Sequence, residues 1–280
     1  MDYFAGIDVG SLSTEAVILD WDGRMVDYAI NPTGANCGGA VDQALDQALS
    51  LAGLSRDRLS YIVATGYGRI NIPFAHRKIT EISCHALGAH HLFPDTETVI
   101  DIGGQDSKVI RVDNQGKVLD FTMNDKCAAG TGRFLEVMAG TFQVPVEELG
   151  DLCLNARREI PISSVCTVFA ESEVISLIAQ NEPEEEIVQG IHRAVVSRIW
   201  GMVQTLGTQG AVTMSGGVAK NRGVVRLLEE YFGKTLHIPT EPQIVGALGA
   251  SLIARRQYLR DNRSPGDRHG MPCPLTDMKE

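Results

Sequence analysis

Three times in this chain a short apolar run stops on a glycine turn flanked by acid or hydroxyl residues. Residues 4–9 run into Asp8-Val9-Gly10-Ser11-Leu12-Ser13. Residues 98–102 run into Asp101-Ile102-Gly103-Gly104-Gln105-Asp106. Residues 211–214 run into Ser215-Gly216-Gly217-Val218-Ala219-Lys220-Asn221. One such turn is ordinary punctuation. Three, each closing a strand, describe backbone N–H groups left free to approach phosphate, with a helix N-terminus behind the Gly-Gly turn.

The first two turns also open the same unit. After Asp8-Val9-Gly10 come apolar runs at 16–19 and 25–30, separated by Asp20-Trp21-Asp22-Gly23. After Asp101-Ile102-Gly103 come runs at 108–113 and 118–123, separated by Gln115-Gly116. Between the copies, helical spacing over 38–52 and 81–92 brackets a strand over 59–65. Further helices are predicted over 131–142, 168–179 and 184–206, and a strand over 211–214. The pattern predicts a duplicated α/β fold with a cleft between its halves. Residues 1–97 with 244–260 form one half, 98–243 the other, and 261–280 a flexible tail rich in Arg, Asp, Pro and Gly.

The chemistry of the turns is that of a nucleotide site. Asp8 stands at a strand end, where a carboxylate holds a metal ion or its water shell. Asp101 and Gln105 repeat that placement from the other half. These three are the candidate catalytic groups. Gly10, Ser11, Leu12, Ser13 and Thr14, then Gly103 and Gly104, then Gly216, Gly217 and Val218 are the candidate phosphate and nucleoside contacts. Gln243, in Glu241-Pro242-Gln243, lines the purine pocket or serves packing.

Bulk properties exclude other classes. With a net charge of −10, the 280-residue chain lacks the cationic excess a nucleic-acid groove requires. No apolar run reaches the ~20 residues of a membrane helix. The start, Met1-Asp2-Tyr3-Phe4, has no basic leader segment, so the expected location is cytoplasmic. Six cysteines, 37, 84, 127, 153, 166 and 273, contain no Cys-x-x-Cys, so one chain writes no self-contained zinc or ferredoxin site.

Longer motifs carry a resemblance. The three turns look like the phosphate and adenosine segments of the actin, hexokinase and Hsp70 superfamily, with its ribonuclease H-like halves. The segments Ala64-Thr65-Gly66-Tyr67-Gly68-Arg69, Ile82-Ser83-Cys84-His85-Ala86, Asn124-Asp125-Lys126-Cys127-Ala128-Ala129-Gly130-Thr131-Gly132-Arg133-Phe134 and Cys166-Thr167-Val168-Phe169-Ala170-Glu171-Ser172-Glu173 resemble more narrowly the activators of 2-hydroxyacyl-CoA dehydratases. The ATP-binding subunits of benzoyl-CoA reductase share them. The resemblance implies ATP and Mg²⁺ in the cleft and a homodimer bridged by one [4Fe–4S] cluster, to which each copy contributes Cys127 and Cys166. It further implies a ferredoxin or flavodoxin as electron donor and an acyl-CoA dehydratase or reductase component as acceptor. Two cysteines from each of two chains make the four-thiolate shell such a cluster takes, and each precedes a predicted helix, whose positive end favours a thiolate.

One position departs from the family's pattern. Its first phosphate loop commonly carries a lysine shortly after the serines, where this chain has Glu15, and the loss removes a Coulomb attraction for phosphate. Cys37, Cys84 and Cys153 read as small core residues, and Cys273 as exposed in the tail. His85, His90 and His91 share one helix without a common face for a metal, His192 reads as packed or capping, and residues 182–186 read as a solvated, acidic helix start. A small-molecule kinase on the same fold, or a nucleotide-dependent scaffold, are the alternatives without iron.

Overall fold

A computed structural model of the chain describes residues 2–163, 166–208 and 210–262. The first sheet contains β1 (Tyr3–Val9), β2 (Ser13–Leu19), β3 (Met25–Pro32), β4 (Leu59–Thr65) and the two-residue β5 (Arg77–Lys78), in the order β3-β2-β1-β4-β5. β1 is buried almost end to end because both faces are covered. Phe4 points into one cluster with Leu248 and Ala250 of α8 (Val245–Asp261), while Ala5, Ile7 and Val9 point into another with Val41, Ala44 and Leu45 of α1 (Cys37–Leu51). That alternation is the two-residue period of a strand. α8 lies so near β1 that a Cβ on Gly6 would stand 2.0 Å from the Ala247 carbonyl oxygen.

The second sheet repeats the first. β6 (Thr96–Ile102), β7 (Ser107–Val112), β8 (Val118–Asn124) and β9 (Ala211–Ser215) run in the order β8-β7-β6-β9. β1 has β2 antiparallel on one side and β4 parallel on the other; β6 has β7 antiparallel and β9 parallel in the same way. The restart expected near residue 98 is therefore a repeat of strand topology. One face of this sheet packs on α3 (Gly132–Phe142) and α6 (Glu184–Leu206) through Ile100, Ile102, Phe134, Ile191 and Val195. The other packs on α2 (Glu81–Leu92) through Ala86, Ala89, Val99 and Ile110, and Val245 of α8 joins that cluster. α2 and α8 thus pack against each other where the two sheets meet.

The remaining helices are α4 (Leu149–Asn155), α5 (Thr167–Ala179) and α7 (Arg222–Phe232). One expectation is corrected at the head of α6. Glu184 is exposed and Glu185 half-buried in its first turn, but Glu186 is buried and accepts from the backbone N–H groups of Arg157 and Arg158 at 3.2 and 2.7 Å. That acid anchors a loop rather than meeting solvent. The tail expected from Asp261 lies outside the described residues, with Cys273, except that Asp261 and Asn262 still close α8.

Candidate nucleotide site

The two carboxylates arrive by the same route. Asp8 of β1 lies beside Thr65 of β4, and Gly66 follows; Asp101 of β6 lies beside Ser215 of β9, and Gly216 follows. Both glycines have φ of +83°. A Cβ on Gly66 would stand 2.2 Å from Asp8 Oδ1, and one on Gly216 2.8 Å from Asp101 Oδ1. Backbone conformation and space both demand glycine here. Strand register makes Gly66 the counterpart of Gly216, a kinship invisible when Gly66 is read as the mere end of a strand.

The antiparallel neighbours are equivalent in position and opposite in charge. Glu15 on β2 faces Asp8; Lys108 on β7 faces Asp101. The Lys108 ammonium is buried 3.3 Å from Asp101 Oδ2, 2.8 Å from Asp106 Oδ1 and 4.0 Å from Glu81 Oε1. Burial works to raise the Asp101 carboxyl, but His85, Lys108 and the Ser215 hydroxyl outweigh it and hold Asp101 below the ordinary carboxylate range. Asp8 has no such ammonium beside it. Burial raises its carboxyl to about 6, against the pull of His85. Glu15, buried beside Asp8, is raised well above its ordinary value by burial first and by Asp8 second. The lysine missing from the first turn thus has its counterpart on β7, one repeat later.

A raised carboxyl weakens folding once the unfolded group ionises, and the cost persists above the folded pKa. Glu15→Gln is therefore expected to raise the melting temperature at pH 8 and to leave it unchanged near pH 4, where both states carry the proton. Melting curves across that range check it; a gain of equal size at both ends contradicts a buried, raised acid.

In sequence His85, on α2, is one of three histidines without a common metal-binding face. The structure turns it between the carboxylates. Nε2 is 3.6 Å from Asp8 Oδ2, and Nδ1 is 3.4 Å from Asp101 Oδ1 and 3.1 Å from the Ser215 hydroxyl. Ser215 donates to Asp101 Oδ1 at 3.0 Å. Gly246, near the start of α8, closes the far side: a Cβ there would stand 1.9 Å from Asp8 Oδ2 and 2.8 Å from His85 Nε2.

One cavity of about 520 Å³ collects these groups, within the size range of small-molecule sites. Its lining includes Asp8, Gly10, Ser11, Leu12 and Ser13 from the first turn, Asp101, Gly103, Gly104 and Gln105 from the second, and Gly216, Gly217 and Val218 from the third, with Gln243. Thr14 is not among them. Its buried hydroxyl hydrogen-bonds that of Thr33 at 2.8 Å, and Thr33 donates to the Gly10 carbonyl at 2.9 Å, so Thr14 braces the loop from behind. Gln243 is held on two sides: Lys220 donates to its Oε1 at 2.6 Å, and its Nε2 donates to the Ser13 hydroxyl at 3.3 Å. Packing and cavity lining coincide in that residue. Glu15, Glu81, His85 and Lys108 also line the cavity. Only strand register and helix rotation bring these four there, and neither shows as a local pattern in the sequence.

Cys127 and Cys166 lie apart from this cavity, both half-buried. Cys166 is the N-cap residue of α5; Cys127 precedes α3, its carbonyl accepting from Asn124 Nδ2 at 2.9 Å. Just beyond Cys166, α5 exposes Val168 and Phe169 at 65% and 66%, and further along Ile175. Among the described residues no three His, Cys, Asp or Glu side chains of one chain gather as a metal-holding set. Cys84 and Cys153 are buried as expected, and burial drives the Cys153 thiol up to about 12. Cys37 is half-buried at the start of α1. His192 is packed, its Nδ1 2.7 Å from the Val188 carbonyl and its Nε2 3.1 Å from Asn221 Oδ1, the oxygen that caps α7.

Two sheets of repeated topology, each presenting a carboxylate and a glycine turn to a shared cleft, give the chain the actin, hexokinase and Hsp70 architecture. Within that architecture the chain belongs to the BadF/BadG/BcrA/BcrD ATPase family, whose profile matches residues 5–254. It is 48% identical over 252 residues to the activator of lactoyl-CoA dehydratase of Anaerotignum propionicum, covering 90% of this chain and 97% of that one. The solved structure of the activator of the 2-hydroxyisocaproyl-CoA dehydratase from Clostridium difficile, with bound ADPNP, matches at a TM-score of 0.88 and 44% identity over 92% of this chain and 96% of that one. A ROK family glucokinase from Streptomyces griseus shares the fold alone, at 14% identity and a TM-score of 0.53 over 91% of this chain and 99% of that one. Among the described residues no helix is long and apolar enough to cross a membrane.

Proposed function

We propose that this chain is the ATP-driven activator of a 2-hydroxyacyl-CoA dehydratase, a cytoplasmic homodimer that couples ATP hydrolysis to delivery of one low-potential electron. The observation that carries the reading is the combination, in one family member, of an acid-lined cavity of nucleotide size and two half-buried thiols outside it.

In the cleft, the backbone N–H groups of Gly104 and Gly217 and the hydroxyls of Ser11 and Ser13 meet the phosphates of ATP, while those of Gly10, Gly103 and Gly216 are spent on the carbonyls of Ser13, Asp106 and Pro242 and hold the turns in shape. Val218 and Gln243 lie toward the nucleoside. The donor set fits a magnesium ion: Asp8 and Asp101 are buried oxygen ligands of the kind a hard cation takes. Gln105, at the exposed rim, orients water toward the terminal phosphate. Lys108 keeps Asp101 ionised for this task. An acid excess of this kind repels free nucleotide, so binding depends on a divalent cation.

The two thiols of one chain fit half of a [4Fe–4S] site, with a second copy supplying the other half. Such a cluster, when bound, supplies one-electron chemistry at low potential. The exposed Val168, Phe169 and Ile175 of α5 give the second copy an apolar face to cover beside Cys166. Nucleotide shifts the halves only by binding their open and closed arrangements unequally. A reduced ferredoxin or flavodoxin is the donor, and the partner component holds the acyl-CoA ester.

The test is anaerobic reconstitution with a dehydratase component, a low-potential reductant and Mg-ATP. Dehydration is expected only with all three present. Equal dehydration without ATP, or without this protein, removes the reading.

A further inference from the structure

We propose that His85 is a positioning residue for ATP hydrolysis, tying the carboxylate of one half of the fold to that of the other. The proposal rests on the reading of the cavity as the hydrolytic site, and it adds a residue that neither the glycine turns nor their acids identify.

The two aspartates belong to different sheets, and no strand joins them. Each sheet fixes its own aspartate through its own glycine. Neither arrangement sets the distance between the two. His85 is the side chain that spans the gap. It is 6% exposed, and α2, which carries it, packs against α8 on the first sheet and against β6 of the second. Ser215 gives its one hydroxyl proton to Asp101, so its oxygen accepts from His85 Nδ1–H. That fixes the ring on the Asp101 side. The opposite ring nitrogen then faces Asp8 Oδ2 at 3.6 Å, and a proton held by either of these two atoms lets the contact tighten to a hydrogen bond with a small closure of the cleft. Gly246 leaves no free volume behind the Asp8–His85 contact, so the ring has little room to turn away. A histidine here is more than core filling: an apolar side chain would pack the same space while leaving two buried carboxylates and a serine without their common partner.

The consequence concerns rate rather than affinity. Phosphates are bound by the glycine turns, which do not depend on His85. Alignment of both carboxylates on one phosphate does, and a displacement near 1 Å costs about a hundredfold in rate. His85→Ala is therefore expected to lower kcat for ATP hydrolysis about a hundredfold while KM changes less than about threefold. His85→Asn puts an amide nitrogen where Nδ1 stood, retaining the Ser215 side and losing the reach to Asp8. It is expected to recover about tenfold of the Ala loss. Ser215→Ala combined with His85→Ala is expected to cost less than the product of the single effects, since the two act through one chain of contacts.

The experiment measures kcat and KM for ATP, ADP affinity by titration calorimetry, and melting temperature, on the full chain and on these variants. Wild-type turnover at background level overturns the ATPase reading itself. Wild-type turnover with His85→Ala within threefold of it overturns this proposal alone. So does equal loss in Ala and Asn variants that tracks a shared fall in melting temperature, which marks His85 as packing. Should the Ala variant not fold, Asn decides: about tenfold lower kcat at unchanged KM supports the link, and wild-type kcat overturns it.

Discussion

Asp8→Asn is expected to abolish ATP hydrolysis and at the same time to make the protein more stable. The loss follows from position. Asp8 lies at the mouth of the first turn, and its Oδ1 sits in the space a Cβ on Gly66 would occupy. It faces the cleft across the His85 ring from Asp101. An amide of the same shape keeps the packing and loses the charge that holds a divalent cation, so kcat falls on the order of a thousandfold, the scale on which preorganised electrostatic groups act. The gain in stability follows from burial. The Asp8 carboxyl is raised to about 6, so in the folded state its ionised form is disfavoured. An unfolded aspartate ionises near its ordinary value of about 4. Below that pH both states are protonated and the substitution changes nothing. Between the two values the wild type loses stability, and above about pH 6 the loss is complete, on the order of 1–3 kcal/mol. The Asn variant escapes it. Melting temperatures at pH 4 and pH 8, with turnover measured at pH 8, check both halves together. A dead variant that melts lower at pH 8 contradicts the account, because it makes Asp8 a structural support rather than a strained functional acid.

That strain explains which parts of the site were legible in sequence. Glycine turns announce themselves because their backbone demands are local: Gly10, Gly103 and Gly216 each follow an apolar run, and no tertiary knowledge is needed to see them. The duplication was legible for the same reason, since Asp-x-Gly, strand, turn, strand recurs in order. The groups that tune the acids were not. Lys108 and Glu15 acquire meaning from strand register, which pairs them with Asp101 and Asp8. In sequence each is one charge among many. His85 depends on the rotation of α2, whose inner face meets two different sheets and so shows no single apolar stripe. α8 was seen only as a segment belonging to the first half, without its helix. Its first ten residues are all buried, so it lacks the polar face from which helical periodicity is read. β5 has two residues and α4 seven, too few to establish a period.

Cys127→Ser and Cys166→Ser are expected to abolish bound iron and sulfide and the activation of the partner, while ATP turnover stays within about threefold of wild type because neither thiol lines the nucleotide cavity. Serine tests the sulfur with little disturbance of structure. Cys166 occupies the N-cap of α5, a position where serine is a better cap than cysteine. A loss of activity there is not a loss of the helix. The Cys127 loop is held through its backbone, with Asn124 Nδ2 donating to the carbonyls of Cys127 at 2.9 Å and Ala129 at 3.2 Å. Its path does not rest on the thiol. A hydroxyl is a poor substitute for a thiolate toward iron, so in the proposed cluster between two copies each substitution would remove two of four ligands. Cys84→Ser is the matched control. That residue is buried with its thiol held protonated, and the substitution is expected to lower stability and leave iron in place. The measurement is iron and acid-labile sulfide per dimer after anaerobic purification, beside ATP turnover and activation of the partner. Iron-free wild type with normal ATP turnover would move the chain toward the sugar kinases that share its fold. Full iron in either variant would place the cluster on other residues. Variants without iron that still activate the partner would leave ATP hydrolysis as the only coupling, with no electron passing through this protein.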